Sequence, residues 1–183
     1  MRRDAYTTKD LTVRTWPDFV SLFSKGNGWD FCWCMHFQRP RTLPKGQWRR
    51  TRAERGVRNR RQKKELIEQG LAHGIPVYAN GEPVGWCQYG SSEELSRIDT
   101  KKNYRELSLW AGAEKLWRIT CFGREAPPSR CGSAALEAAL ESMRRKGGGV
   151  VEAYPFREKS FAERASADVG MLRRLAIHQR TER

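Results

Sequence analysis

No stretch of about 18 consecutive apolar residues occurs in the 183-residue chain, so no segment reads as a membrane-spanning helix. The first residues, MRRDAYTTKDLTV, carry charge but no apolar signal core, which sets the expectation of a cytoplasmic protein. Histidine is scarce: His36, His73 and His178 lie far apart. There is no Gly-x-Ser-x-Gly turn, no His-Glu-x-x-His helix and no Walker-type loop, and with them go the sequence marks of serine hydrolase, zinc protease and P-loop chemistry. The five cysteines are an odd number in a chain without a signal peptide, so they read as free thiols rather than a disulfide framework. No internal repeat is visible, and the length suits one domain over residues 1–183.

What is present is charge and aromatic bulk. The net charge of +14 favours acidic partners: nucleic acid, an anionic surface or a polyanionic nucleotide cofactor. Seven tryptophans and seven phenylalanines within a 38% hydrophobic fraction argue for a real core. The charge concentrates at 39–64, RPRTLPKGQWRRTRAERGVRNRRQKK, which has few apolar residues and reads as solvated or anion-bound. Trp48 is a stacking residue within it, so nucleic acid is one partner class to consider, although no zinc-finger or other reader motif accompanies it.

Periodicity gives the elements. Trp16, Phe19, Val20 and Phe23 recur at helical spacing, and Pro17 suits a first turn. A second helix is expected from near Val57 or Asn59 to Gly70 or Gly74. IPVYA and VGWCQYG flank Asn80-Gly81, the dipeptide that supplies the positive φ angles of a tight β-hairpin. A short helix is expected in SSEELSRI at 91–98, a strand in LWRITCF at 116–122 and a helix from Ser133 to Lys146. A strand in GVVEAYPF at 148–156 and a last helix near 161–175, carrying Met171, Leu172 and Leu175, complete the chain. Strand–helix–strand over 116–156 implies two parallel strands with a right-handed crossover. With the antiparallel hairpin ahead of it, the expectation is a mixed α/β sheet flanked by helices.

Three places compete as a site. SRCGSA at 129–134 sits between a strand and a helix. Helix N-termini attract anions, Gly132 and Ala134 leave room for a phosphate, and Ser129, Ser133, Arg124 and Arg130 can donate to one. The plain alternative is a crossover loop in which glycine and serine cap a helix, and one glycine is less than a glycine-rich fingerprint. In CWCMH at 32–36, Cys32, Cys34 and His36 would share one face of a strand, with Cys87 or His73 as further metal ligands. The spacing is not that of a common zinc site, and buried free thiols among aromatics are the favoured reading, with no metal. Glu152, Tyr154 and Cys121 lie on or near the two central strands, where a cleft would open; each has a structural role as its alternative.

Taken together, several stretches resemble the GNAT superfamily of N-acetyltransferases, in particular a bacterial, uncharacterised subgroup with CWCM and PVGW motifs. They are CWCM at 32–35, GVRNR at 56–60, YANGEPVGWCQYG at 78–90, WRITCF at 117–122 and VVEAYP at 150–155, in the expected order over roughly 11–175. The resemblance implies a mixed sheet whose two central parallel strands splay around acetyl-CoA. The pantetheine arm would pair with the strand edge at Thr120, Cys121, Phe122, Gly123 and Arg124. The pyrophosphate would sit on Ser129, Arg130, Cys131, Gly132, Ser133 and Ala134, matching a Gln/Arg-x-x-Gly-x-Gly/Ala pattern. Counted back from VEAYP, Arg130 takes the first glycine place and Gly132 the second. The C-terminus is shorter than the family's two closing strands require, since AIHQRTER has room for one at most, so the sheet reads as truncated at that edge. A homodimer could supply the missing strand.

The chemistry so implied is direct attack of an amine on the thioester. Holding both reactants close is worth ~7–11 kcal/mol at ideal geometry. A backbone N–H of Phe122 or Gly123 would polarise the carbonyl. Glu152 is the candidate base and Tyr154 the candidate acid, while Trp33 and Met35 would line the pocket of a small-molecule or peptide amine. The alternative is a weak or inactive module of the same fold, using 39–64 to bind nucleic acid or an acidic partner.

Overall fold

The computed structural model describes residues 6–26, 29–38, 51–100, 115–124, 130–153 and 173–177. A sheet of six strands lies in sequential order: β1 (Thr7–Thr8), β2 (His73–Ala79), β3 (Glu82–Ser91), β4 (Leu116–Arg124), β5 (Gly149–Ala153) and β6 (Arg173–Ile177). Every neighbouring pair is antiparallel except β4 and β5, which run parallel. Among the described residues three helices flank it: α1 (Trp16–Phe23), α2 (Arg52–Glu68) and α3 (Arg130–Arg145). The mixed α/β sheet and the strand–helix–strand crossover expected from the sequence are both present.

The hairpin forms as its turn residues require. Asn80 and Gly81 take φ of 50° and 84°, the left-handed pair that matches the twist of β2 and β3. Helix α2 starts at Arg52, well before the expected Val57. Its cap is a reciprocal box inside the basic stretch: the Glu54 N–H donates to Thr51 Oγ1 at 3.2 Å, and the Thr51 N–H donates to Glu54 Oε2 at 2.8 Å. Nor is α2 simply solvated: Arg58, Asn59, Lys63 and Ile67 are buried on one side of it. Helix α3 begins at Arg130, three residues ahead of Ser133.

The last expected helix needs correction over its final residues. Residues 173–175 are strand, part of β6, which pairs Gly149↔Ile177 through Ala153↔Arg173. Met171, Leu172 and Leu175 fit helical spacing, but the far edge of β5 presents unpaired backbone groups, and satisfying them outweighs a weak local period. In 91–100, turns lead to a short 3-10 segment at Ser96–Thr100, where a helix at 91–98 was expected.

Among the described residues the two larger cores sit on opposite faces of the sheet, with a small third cluster at Leu95 and Ile98. Under α3, Cys131, Ala135, Ala139 and Met143 fall at four-residue spacing and pack on Ile75, Val77, Cys87, Tyr89, Trp117, Ile119 and Val151. Their small size lets the helix lie close. The other face carries α1, α2 and the turns of 29–38, with Phe19, Leu22, Phe23, Trp33, Met35, Ile67 and Trp86 at its centre. The rings of Phe23 and Trp33 stack there at 5.6 Å. Burying each such side chain stabilises the fold by ~1.5–3 kcal/mol.

Candidate functional site

Strand β4 positions the site. It pairs with β5 only from Leu116↔Val150 to Ile119↔Ala153, yet remains paired to β3 as far as Gly85↔Arg124. Among the described residues nothing pairs with the β5-side edge of Thr120 to Arg124. A bulge marks the change: Tyr89 faces Ile119 and Gln88 faces Cys121, leaving Thr120 as the extra residue. The bulge also switches faces. Directly opposed residues share a face, so Cys121 follows Gln88 to the α2 side and Phe122 follows Cys87 to the α3 side.

Each residue of the stretch is then distinct. Thr120 donates its hydroxyl to Gln88 Oε1 at 3.1 Å. Cys121 packs against the α1–α2 core. Phe122 is 51% exposed, unusual for a large apolar residue at the middle of a sheet. Gly123 lies under Trp29, where an added Cβ would come within 2.8 Å of the indole. Arg124 closes β4 through its backbone.

Helix α3 opens next to that stretch. Cys131 is buried, and its sulfur fills the space a side chain on Gly85 would need, fixing the first helical turn against β3. Gly132 and Ser133 are exposed, and a Cβ added to Gly132 would meet nothing within 4 Å. The first helical N–H groups have no partner within the helix. Open space at Gly132 and the positive end of the helix dipole make this end of α3 favourable for an anion. Ala134 is half-buried one turn in. Ser129 and Tyr154 lie outside the described residues, as does Trp48.

Glu152 is on β5 opposite Arg118 and is fully buried. Its Oε2 lies 3.7 Å from Arg118 Nε, and the Arg118 guanidinium also donates to the carbonyls of Ser92 and Leu95, both at 3.2 Å, and to Asp99. The expected base is thus a member of a buried ion pair. Trp33 and Met35, expected along an acceptor pocket, are 4% and 1% exposed and belong to the core beneath α1.

The CWCMH segment is a run of turns, not a strand. Trp33 and Cys34 take φ of 49° and 45°, a left-handed geometry that costs a non-glycine residue about 1–2 kcal/mol. The surroundings hold it in place: Asn59 Nδ2 donates to the Phe31 carbonyl at 2.6 Å, and Gln88 Nε2 donates to the Cys34 carbonyl at 2.8 Å. His36 is exposed, His73 bonds Glu94 at 2.9 Å, and Cys87 lies on the opposite face of the sheet. Cys32 and Cys34 thus share a turn, while Cys87 lies across the sheet and His73 is engaged with Glu94, and no metal-ligating group of three occurs among the described residues.

Sequence reasoning missed what does converge beside Cys121. Lys63, wholly buried on α2, donates to Gln38 Oε1 at 2.5 Å, and burial pushes its pKa down to about 8. Gln88 bonds the same oxygen at 3.0 Å. The signal was the cap at Thr51, which sets the α2 register and turns Lys63 inward.

Of the basic stretch, residues 39–50 lie outside the described set, and on α2 some charges are engaged within the helix, Arg61 with Glu65 and Lys64 with Glu68. No helix among the described residues is long and apolar enough to cross a membrane.

No family model matches the sequence, and no curated protein does. Among solved structures, an aminoglycoside acetyltransferase from an uncultured soil metagenomic sample, in complex with trehalose, is similar at a TM-score of 0.50 with 12% identity, over 88% of this chain and 84% of that one. A probable acetyltransferase gives 0.49 with 13% identity, over 86% and 84%. The first likeness shows the fold: a mixed sheet flanked by helices, as in the GNAT acetyltransferases.

Proposed function

We propose that this chain transfers an acetyl group from acetyl-CoA to the amine of a small molecule or peptide. The observation that carries the proposal is the β4 edge from Thr120 to Arg124, which no described residue pairs and which ends beside the N-terminus of α3, where Gly132 faces open space. An extended amide-bearing chain such as pantetheine can add to a strand edge through backbone hydrogen bonds. A pyrophosphate at the far end of that chain is assigned to the start of α3 at Cys131, Gly132, Ser133 and Ala134, and Arg124, Ser129 and Arg130 are assigned to it from the sequence pattern. Acetyl-CoA supplies the activated acyl group; the protein supplies position and charge.

In this reading a neutral amine attacks the thioester directly, and a β4 N–H, of Phe122 or Gly123, polarises the carbonyl. Glu152 is the proton acceptor. Because it is buried against Arg118, the proton reaches it through water. Tyr154, two residues on, is the acid that returns a proton to the departing thiolate. Aminoglycosides head the acceptor panel, because the neighbour of this fold bears that activity in its name.

The test is native mass spectrometry of freshly purified protein, followed by thiol-release assays over a panel of amines. Co-purified CoA and amine-dependent thiol release support the proposal. Protein that carries no CoA, and releases none from added acetyl-CoA with any amine, refutes it.

A further inference from the structure

Three thiols meet on the α2 face of the sheet, and the proposed transfer uses none of their sulfurs. Cys32 and Cys34 come from the turns of 29–38, Cys121 from β4 just past its bulge. Gln88, the residue facing Cys121 across β3 and β4, donates to the Cys34 carbonyl at 2.8 Å, which sets the turn of Cys34 over the Cys121 side of the sheet. Cys34 is buried and immobilised: Trp86 Nε1 donates to its sulfur at 3.2 Å, and its backbone is left-handed. Cys121 is only partly buried. None of the five cysteines is in a disulfide.

Cys34 and Cys121 are not alike. The hydrogen bond from Cys34, and then the charge of the buried Lys63, hold Cys121 below its ordinary pKa. Cys34, as the donor and in a buried place, is pushed well above its own. A partly exposed thiol of lowered pKa beside a second thiol is the arrangement that reacts with oxidants and then resolves. The other cysteines are poor partners. Cys87 and Cys131 lie on the α3 face, and Cys32 and Cys34 are separated by one residue within a turn.

We propose that Cys121 is a hydroperoxide-reactive thiol and Cys34 its resolving partner, so that oxidation ties the turn at 32–35 to β4. The Cys121 thiolate attacks the terminal oxygen of the hydroperoxide. The O–O bond breaks, Cys121 becomes a sulfenic acid, and the alkoxide leaves and takes a proton from water. The Cys34 thiol then displaces the sulfenic hydroxyl: an S–S bond forms, and its proton leaves with that hydroxyl as water. Two thiols are oxidised and one peroxide is reduced. Cys121 belongs to the stretch assigned above to the donor, so the cross-link weakens acetyl-CoA binding; this consequence rests on that assignment, whereas the thiol chemistry does not.

The full chain, reduced and then treated with equimolar hydrogen peroxide and quenched by alkylation, is read by intact mass and peptide mapping. The expected product has lost two hydrogens, carries a Cys34–Cys121 link and is restored by dithiothreitol. Cys34→Ser instead yields a Cys121 sulfenic acid that dimedone traps, and Cys121→Ser yields neither. In the untreated protein, iodoacetamide labels Cys121 at least about tenfold faster than Cys87, and Lys63→Met reduces that rate several-fold. An unchanged mass, a Cys32–Cys34 link, or equal labelling of Cys121 and Cys87 overturns the proposal. A thermal shift with CoA that shrinks on oxidation supports the functional consequence, and one that persists overturns it. If the reduced protein shows no shift with CoA, the donor assignment falls and the consequence with it, while the disulfide is judged by mass alone.

Discussion

Replacing Arg118 with methionine isolates the ion pair that joins β4 to β5. Arg118 is 1% exposed and Glu152 0%, with 3.7 Å between Nε and Oε2. Methionine fills much of the space but leaves a buried carboxylate without its guanidinium, and the carbonyls of Ser92 and Leu95 without that donor. Breaking a buried pair from one side costs about 3–5 kcal/mol. A domain of this kind has only about 5–15 kcal/mol in total, so the variant should unfold at much lower urea with an unchanged m-value. Removing both charges, Arg118→Met with Glu152→Met, should recover a large part of that loss, because the desolvated carboxylate is gone. Urea titrations of the three proteins measure all of this. A loss below about 1 kcal/mol in the single variant, or a double variant no more stable than the single, refutes the reasoning.

Gly85→Val should destabilise by about 1–3 kcal/mol, because its side chain meets the Cys131 sulfur and pushes the first turn of α3 off the sheet; thermal unfolding checks it. Lys63 should leave a mark at alkaline pH. Its folded pKa of about 8 lies below the unfolded value, so between about 8 and 10.4 the unfolded chain holds more protons and the Lys63 contribution rises with pH, by about 3 kcal/mol in all. Cys34 and Cys87, whose pKa values are pushed up, oppose it over the same range. The measurement is therefore the difference between wild type and Lys63→Met, which should widen in favour of the wild type as pH rises through this window; a flat difference contradicts it.

Much of the frame was legible because local chemistry and global packing agreed. Asn80-Gly81 can make few other turns between two apolar runs, and the four-residue spacing from Cys131 to Met143 fixes the buried face of α3. The site was legible only as a stretch of chain. Nothing in WRITCFGR announces a bulge at Thr120, since β-bulges arise from pairing with β3, and without the bulge Phe122 and Cys121 exchange faces. Alternation failed for CWCMH because left-handed Trp33 and Cys34 depend on Asn59 and Gln88, which are remote in sequence. Composition hid Lys63, because a lysine in a basic run reads as solvated until the helix register is known. The end of the chain was misread where β5 imposed a partner strand on residues with a helical period.

The central claim is that β4 and the start of α3 hold acetyl-CoA, and thermal unfolding with and without the ligand tests it most directly. At a hundred times the dissociation constant, binding adds about 2.7 kcal/mol and raises the melting temperature. Gly132→Glu points a carboxylate into open space, so it should leave the ligand-free melting temperature nearly unchanged and abolish the shift. A wild-type protein that does not shift with millimolar acetyl-CoA contradicts the claim, and a variant that shifts as the wild type does contradicts the placement of the pyrophosphate at Gly132.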